Sequence, residues 1–172
     1  MADVVRTAIT FVLSNFTLTF LVVGLIFSAA AIARSRSPGR AIVVDKLLAW
    51  YVFFTVGAAY LYNFVVHAFF GEMAAKFIGW ADSPFQFEVA TASLGFAVVG
   101  FLAAFRSFDL RFAAVIGPGI FTLGAAFGHL RQMQIAHNFA PGNAGVIFYM
   151  DFIIPLIGFV LLWLAHRWRR LT

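Results

Sequence analysis

The sequence predicts an all-α integral membrane protein, a bundle of five transmembrane helices, and two observations support this prediction. Of its 172 residues, 63% are hydrophobic and 11% are charged, whereas a soluble domain is roughly half apolar and a quarter charged. The mean hydropathy is +0.94, so the chain has too little polar surface to cover a globule in water. This composition excludes a soluble enzyme, a disordered chain and a fibrous repeat, and it makes the lipid bilayer the main partner.

Five segments are long and apolar enough to span a membrane, for which about 20 residues are needed. The predicted spans are residues 7–33, 46–70, 87–105, 112–133 and 147–165. No internal repeat is evident, so residues 1–172 are expected to form a single transmembrane domain.

The distribution of basic residues predicts the orientation of the chain. The connections after the first and third spans, together with the C-terminal tail, hold nine of the 12 basic residues: Arg34, Arg36, Arg40, Lys46, Arg106, Arg111, Arg167, Arg169 and Arg170. Cytoplasmic loops carry an excess of Lys and Arg. We therefore expect the N-terminus outside and the C-terminus in the cytoplasm, in a multi-pass protein of the cell (inner, cytoplasmic) membrane. The net charge of +5 is then a topology signal, and no nucleic-acid partner is expected.

Small residues predict which helices approach most closely. Gly95 and Gly100 lie in the third span, and Gly124 and Gly128 form a G-x-x-x-G in the fourth. Such spacing lets two transmembrane helices come into close contact. The third and fourth spans are therefore expected to form the tight centre of the bundle.

Ionisable residues gather near the predicted outer ends of the spans. These residues are His67, Glu72, Glu88, His129, His137 and Asp151. Neutral polar residues, among them Asn63, Gln86 and Gln132, accompany them. Ionisable groups in a span are costly and usually face the bundle interior. The sequence therefore predicts a polar pocket near the outer leaflet, lined with aromatic residues.

The residue types in this pocket fit a transition metal ion. Two histidines and several carboxylates are ligands for iron, manganese or zinc, and helical bundles build such sites from facing helices. The predicted ligands are His67, Glu88, His129 and Asp151, with Glu72 and His137 as less secure candidates.

Three other readings of the same residues stay open. Haem is a less favoured cofactor, with His67 and His129 as ligands and Arg131 near a propionate. A proton relay is a further option, although the spans become apolar below Glu88 and Asp151. The last reading is a hydrogen-bonded cluster that pins helices together, for example through His67 with Glu88 or Arg131 with Asp151.

Several strings resemble a widespread prokaryotic membrane protein family of unknown function. They include residues 83–88, which read Ser-Pro-Phe-Gln-Phe-Glu, and residues 140–145, which read Ala-Pro-Gly-Asn-Ala-Gly. Residues 128–133 and 149–151 add to the likeness, which covers about residues 63–155. The resemblance implies a multi-span membrane protein and carries no assigned activity.

Two functions follow from these observations, and the sequence leaves open whether the protein is an enzyme. The first is metal-assisted redox chemistry on a small lipophilic, quinone-like molecule in the outer pocket. The alternative is a non-enzymatic membrane subunit or scaffold whose outer loops dock a protein partner or a second copy, with the polar cluster being structural.

Overall fold

The computed structural model describes residues 1–169, and the helices of this part of the chain pack into one bundle without any strand. In chain order they are α1 (Ala2–Ser14), α2 (Phe16–Ala33), α3 (Arg40–Tyr51), a π-helical segment (Val52–Ala58), α4 (Ala59–Phe69), α5 (Gly71–Ile78), α6 (Phe85–Ala103), α7 (Phe108–Ala136), α8 (Pro141–Ala144) and α9 (Val146–Arg169).

Five stretches are long and apolar enough to cross a membrane, which confirms the predicted number of such helices. They are Phe16–Ala33, Arg40–Phe69, Phe85–Ala103, Phe108–Ala136 and Pro141–Trp168. The short helices α5 and α8 lie at one end of the bundle, which we call the cap end. It is the end predicted to face outward. The basic connections 34–39 and 104–107 lie at the opposite end.

The first predicted span, residues 7–33, is wrong at its start because the helix breaks at Asn15. The backbone of Asn15 has φ −115° and ψ 41°, outside the helical region. Its side-chain amide donates to the carbonyl oxygen of Phe11 at 2.8 Å, which offers the backbone a local alternative to a continuous helix. Helix α1 therefore precedes the span as a separate element.

The tight centre of the bundle lies between the second and third spans, which corrects the predicted pairing of the third with the fourth. A Cβ built on Gly100 would lie 2.6 Å from the backbone nitrogen of Gly57, in the π-helical segment. In contrast, a Cβ on Gly124 would meet no atom within 4 Å. The wider π turn brings the second span against α6 at a point where both helices have glycine.

Tyrosine hydroxyls connect the second span to the two proline-containing helices. The hydroxyl of Tyr51 donates to the carbonyl oxygen of Ile154 at 2.8 Å, and that of Tyr60 donates to the carbonyl oxygen of Pro118 at 3.1 Å. These bonds stabilise α7 and α9 against the second span. Helices α7 and α9 also pack against each other, and the end of α7 and the start of α9 meet at the cap end.

Candidate functional site

The polar residues of the cap end converge on the side chain of Asn143. This residue lies in α8, and its exposed fraction is 0%. Its Oδ1 atom lies 2.9 Å from Nε1 of Trp80 and 2.8 Å from Nδ1 of His129. Its Nδ2 atom donates to the carbonyl oxygens of His129 at 3.2 Å and Asn138 at 2.9 Å. Because all four positions of the amide are used, α8 is fixed to α7 and to the segment after α5.

The segment around Trp80 and Asn138 is held by backbone geometry as well as by this amide. Gly79 ends α5 in the left-handed region with φ 75°, where glycine has no steric penalty. The amide of Asn138 donates to the carbonyl oxygens of Ile78 and Gly79 at 3.0 and 3.1 Å. The Trp80 ring then lies 5.3 Å from the imidazole of His129, centroid to centroid. The Trp80 indole thus closes one side of the cluster.

His129 and Asp151 form a buried pair beneath Asn143. The Nε2 atom of His129 lies 3.6 Å from Oδ2 of Asp151, and the two side chains are 8% and 9% exposed. His129 lies two turns before the C-terminal end of α7, and Asp151 lies in the second turn of α9. The pair therefore bridges the fourth and fifth predicted spans, as the polar cluster was expected to do.

Asn143 fixes the proton on Nδ1 of His129. The Nδ2 group of Asn143 faces two carbonyl oxygens, which are acceptors, so its Oδ1 atom must face the histidine. A carbonyl oxygen has no proton to give, and therefore Nδ1 of His129 is the donor. The other ring nitrogen, Nε2, is left to face the carboxyl group of Asp151.

His67 belongs to a second polar layer that joins α4 to α6. Its Nδ1 atom contacts Oε1 of Gln86, and one turn earlier the amide of Asn63 donates to the hydroxyl of Ser93 at 2.9 Å. Residues four apart, such as Asn63 and His67, share a helix face. His67 therefore pairs with a neutral amide and not with the predicted carboxylate.

Glu88 faces away from this layer because of its position relative to Gln86. Two residues correspond to about 200° around an α-helix, so Gln86 and Glu88 point in nearly opposite directions. Gln86 faces His67, and Glu88 is exposed. Glu72, Arg131 and His137 are exposed as well.

The predicted metal ligands are thus distributed over separate places. Within residues 1–169, the structure contains no group of three or more His, Asp or Glu residues that could hold a metal ion. His129 and Asp151 come together, whereas His67 and Glu88 do not join them. Metal binding stays a prediction that the arrangement of the described residues does not support. The haem hypothesis also stays a prediction. The arrangement does not favour it, because each ring nitrogen of His129 already has a contact.

Asn143 was missing from the predicted site residues. The sequence placed it in a Pro- and Gly-rich turn, where asparagine is common for backbone reasons alone. The signal that points to it is the string Ala-Pro-Gly-Asn-Ala-Gly, which was noted for its family likeness.

Comparison with known proteins gives a family and no activity. No curated protein and no solved structure matches the chain. The model of DUF6790, described as a family of unknown function, matches residues 14–171. This match covers the five membrane-spanning stretches and the whole cap-end cluster, and the protein therefore belongs to the DUF6790 family.

Proposed function

We propose that the protein conducts protons. In this proposal the His129–Asp151 pair takes up a proton at the cap end and transfers it into the bundle. The observation that carries this proposal is the contact of Nε2 of His129 with the Asp151 carboxyl group while Nδ1 is occupied by Asn143.

The 3.6 Å between Nε2 and Oδ2 is an ion-pair distance slightly longer than a hydrogen bond, and a small shift of either side chain brings one shared proton between them. With no proton there, a nitrogen lone pair would face a carboxylate oxygen, and the pair would carry an unpaired buried charge, which is costly. With one proton, the pair is neutral whether the proton lies on the imidazole or on the carboxyl group. Moving the proton between them therefore creates no new net charge.

Burial of the pair favours a proton over a larger substrate. The side chains are 8% and 9% exposed, so a substrate could reach them only after the cap had moved. A proton needs no such opening. For this reason, and because the described residues hold no group for a metal, the proposal does not include metal-assisted redox chemistry.

A hydroxyl pair lies on the inner side of Asp151 and offers the next position for a proton. Tyr60 and Thr122 share a hydrogen bond between their hydroxyls, and Thr122 lies two turns of α7 further from the cap end than His129. The spans were expected to become apolar below Glu88 and Asp151. The presence of these hydroxyls supports a relay that continues inward.

The structural alternative is favoured by a different observation, the completeness of the hydrogen bonds around Asn143. In this second candidate function, the hydrogen bonds of the cluster only hold α5, α7, α8 and α9 together, and the cap end acts as a rigid scaffold. A scaffold needs the shape of the Asp151 side chain, whereas a proton relay needs its ability to ionise.

The two functions are separated by proton flux in liposomes. Purified full-length protein is reconstituted with an internal pH-sensitive dye, and a potassium gradient with valinomycin drives protons across the membrane. We expect wild-type protein to raise the rate of acidification above that of protein-free liposomes, and Asp151→Asn to abolish the increase. Glu88→Gln is the matched control, because Glu88 is an exposed carboxylate of the same end.

Two results would overturn the proton proposal. The first is a wild-type rate equal to that of empty liposomes. The second is an Asp151→Asn rate equal to the wild-type rate in protein that elutes as a single folded species, and this result would favour the scaffold.

A further inference from the structure

A mostly apolar cleft lies between α1 and the cap end, and polar residues of α1 form one part of its lining. It has a volume of about 510 Å³ and lies between α1 on one side and Phe77, Pro141 and Val146 on the other. The α1 side of the cleft is lined by Arg6, Thr7, Thr10, Phe11, Ser14 and the following Asn15. The four-residue helix α8 separates this cleft from the buried His129–Asp151 pair, and no residue of that pair lines it.

One face of α1 is polar, and it borders the open cleft. Arg6, Thr10 and Ser14 are four residues apart and share one helix face, which faces the cleft. Val5, Ile9 and Val12 lie on the opposite face, and their exposed fractions are 52%, 53% and 44%. An amphipathic helix that packs against its own protein usually buries its apolar face. Here the apolar face is left for lipid, and the polar face borders an open cleft.

Polar groups of this face are available to a ligand. Within residues 1–169, the hydroxyls of Thr7, Thr10 and Ser14 make no hydrogen bond with another residue. Arg6 has an ion pair with Asp3 at 3.4 Å, in which both side chains are at least 80% exposed. Such an exposed pair contributes little, so the Arg6 guanidinium can exchange Asp3 for a phosphate group at little cost.

The position of α1 matches the depth of lipid headgroups. Helix α2 has 18 residues, which at 1.5 Å per residue gives about 27 Å, close to the roughly 30 Å of a hydrocarbon core. Helix α1 precedes this span and is therefore placed at its boundary. Its C-terminal end is held there by the Tyr62 hydroxyl, which donates to the carbonyl oxygen of Leu13 at 3.1 Å.

We infer that this cleft binds an anionic phospholipid of the surrounding membrane. The phosphate group lies at Arg6, the hydroxyls of Thr10 and Ser14 donate to the headgroup oxygens, and the acyl chains extend along the exposed apolar side of α2. The charge of Arg6 selects an anionic headgroup over a zwitterionic one.

Lipid-dependent stability tests this inference with full-length protein in detergent. The unfolding midpoint is measured against increasing phosphatidylglycerol, phosphatidylcholine or inorganic phosphate. We expect phosphatidylglycerol to stabilise wild-type protein at lower concentration than phosphatidylcholine. Removing one cation near the membrane surface weakens anionic-lipid binding about fivefold, so Arg6→Gln should raise the half-saturating concentration of phosphatidylglycerol by about that factor.

Matched variants and competing outcomes make the result decisive. Arg131→Gln removes an exposed cation of the same end that does not line the cleft, and it should leave the half-saturating concentration unchanged. Thr10→Val keeps the shape of the side chain but removes a donor to the headgroup oxygens, and it should weaken phosphatidylglycerol binding. Equal binding of both lipids, equal losses in Arg6→Gln and Arg131→Gln, or saturation by inorganic phosphate alone would each overturn the lipid assignment.

Discussion

Replacing Asn143 by alanine should destabilise the protein far more than replacing any other asparagine of the spans. The amide accepts from Trp80 and His129 and donates to two carbonyl oxygens, at distances between 2.8 and 3.2 Å. Asn143→Ala leaves these four partners without the group that pairs them. The cap end is also loosened, because this amide joins α8 to α7 and to the segment after α5.

The size of the effect follows from the number of hydrogen bonds. A hydrogen bond in a membrane protein contributes about 0.6 kcal/mol on average, and one in a water-soluble protein about 1 kcal/mol. Four such bonds give about 2 to 4 kcal/mol. Asn63→Ala is the matched control, since the Asn63 amide makes one side-chain hydrogen bond, to Ser93, and should cost about 1 kcal/mol or less.

Reversible unfolding in mixed detergent and dodecyl sulfate micelles measures both free energies. We expect the free energy of unfolding to fall by at least 1 kcal/mol more in Asn143→Ala than in Asn63→Ala, taking the lower bound for four bonds against one. Equal losses in the two variants would contradict this expectation, because they would mean that the buried amide is no more connected than the half-buried one.

Three further substitutions test the fold. Gly100→Ala should cost about 1 to 3 kcal/mol, because its Cβ would lie 2.6 Å from the second span; Gly95→Ala in the same helix meets no atom within 4 Å and should be neutral or stabilising in the same unfolding assay. Gly79→Ala should lower the unfolding midpoint, since φ is 75° and the new Cβ would lie 2.7 Å from a side-chain oxygen; an unchanged midpoint would contradict this geometry. Asp45→Asn should lower the free energy of unfolding by about 1 kcal/mol. The buried Arg111 side chain, 9% exposed, bonds Asp45 at 2.7 Å, but the half-exposed Asp45 limits the effect. Thermal unfolding that shows no loss of stability would exclude this ion pair as a stabilising contact.

The number of spans could be predicted from the sequence because lipid imposes a length and a composition on each helix. The break at Asn15 and the π-helical segment could not. Both depend on local hydrogen bonding in an otherwise apolar run, and neither changes the hydropathy. Sequence reasoning also chose the wrong glycine pair, since a G-x-x-x-G in one helix does not tell which neighbour it faces.

The site was predicted in part. His129 and Asp151 could be placed at one depth from their positions in the spans, and the structure brings them together. Glu88 was expected in the same site from its depth in the span alone. Its side chain points away from that of Gln86, because two residues correspond to about 200° around an α-helix. Asn143 was missed because a turn explained it without reference to its side chain.

The proton on Nδ1 of His129 is the central claim, and nitrogen-15 magnetic resonance of histidine-labelled protein tests it most directly. The His129 signal is assigned by its loss in His129→Gln. We expect a protonated Nδ1 in wild-type protein, with the Nε2 signal shifting in Asp151→Asn. A bare Nδ1 together with a protonated Nε2 would contradict it, because Asn143 could then not accept from His129, and the shared proton would have no basis.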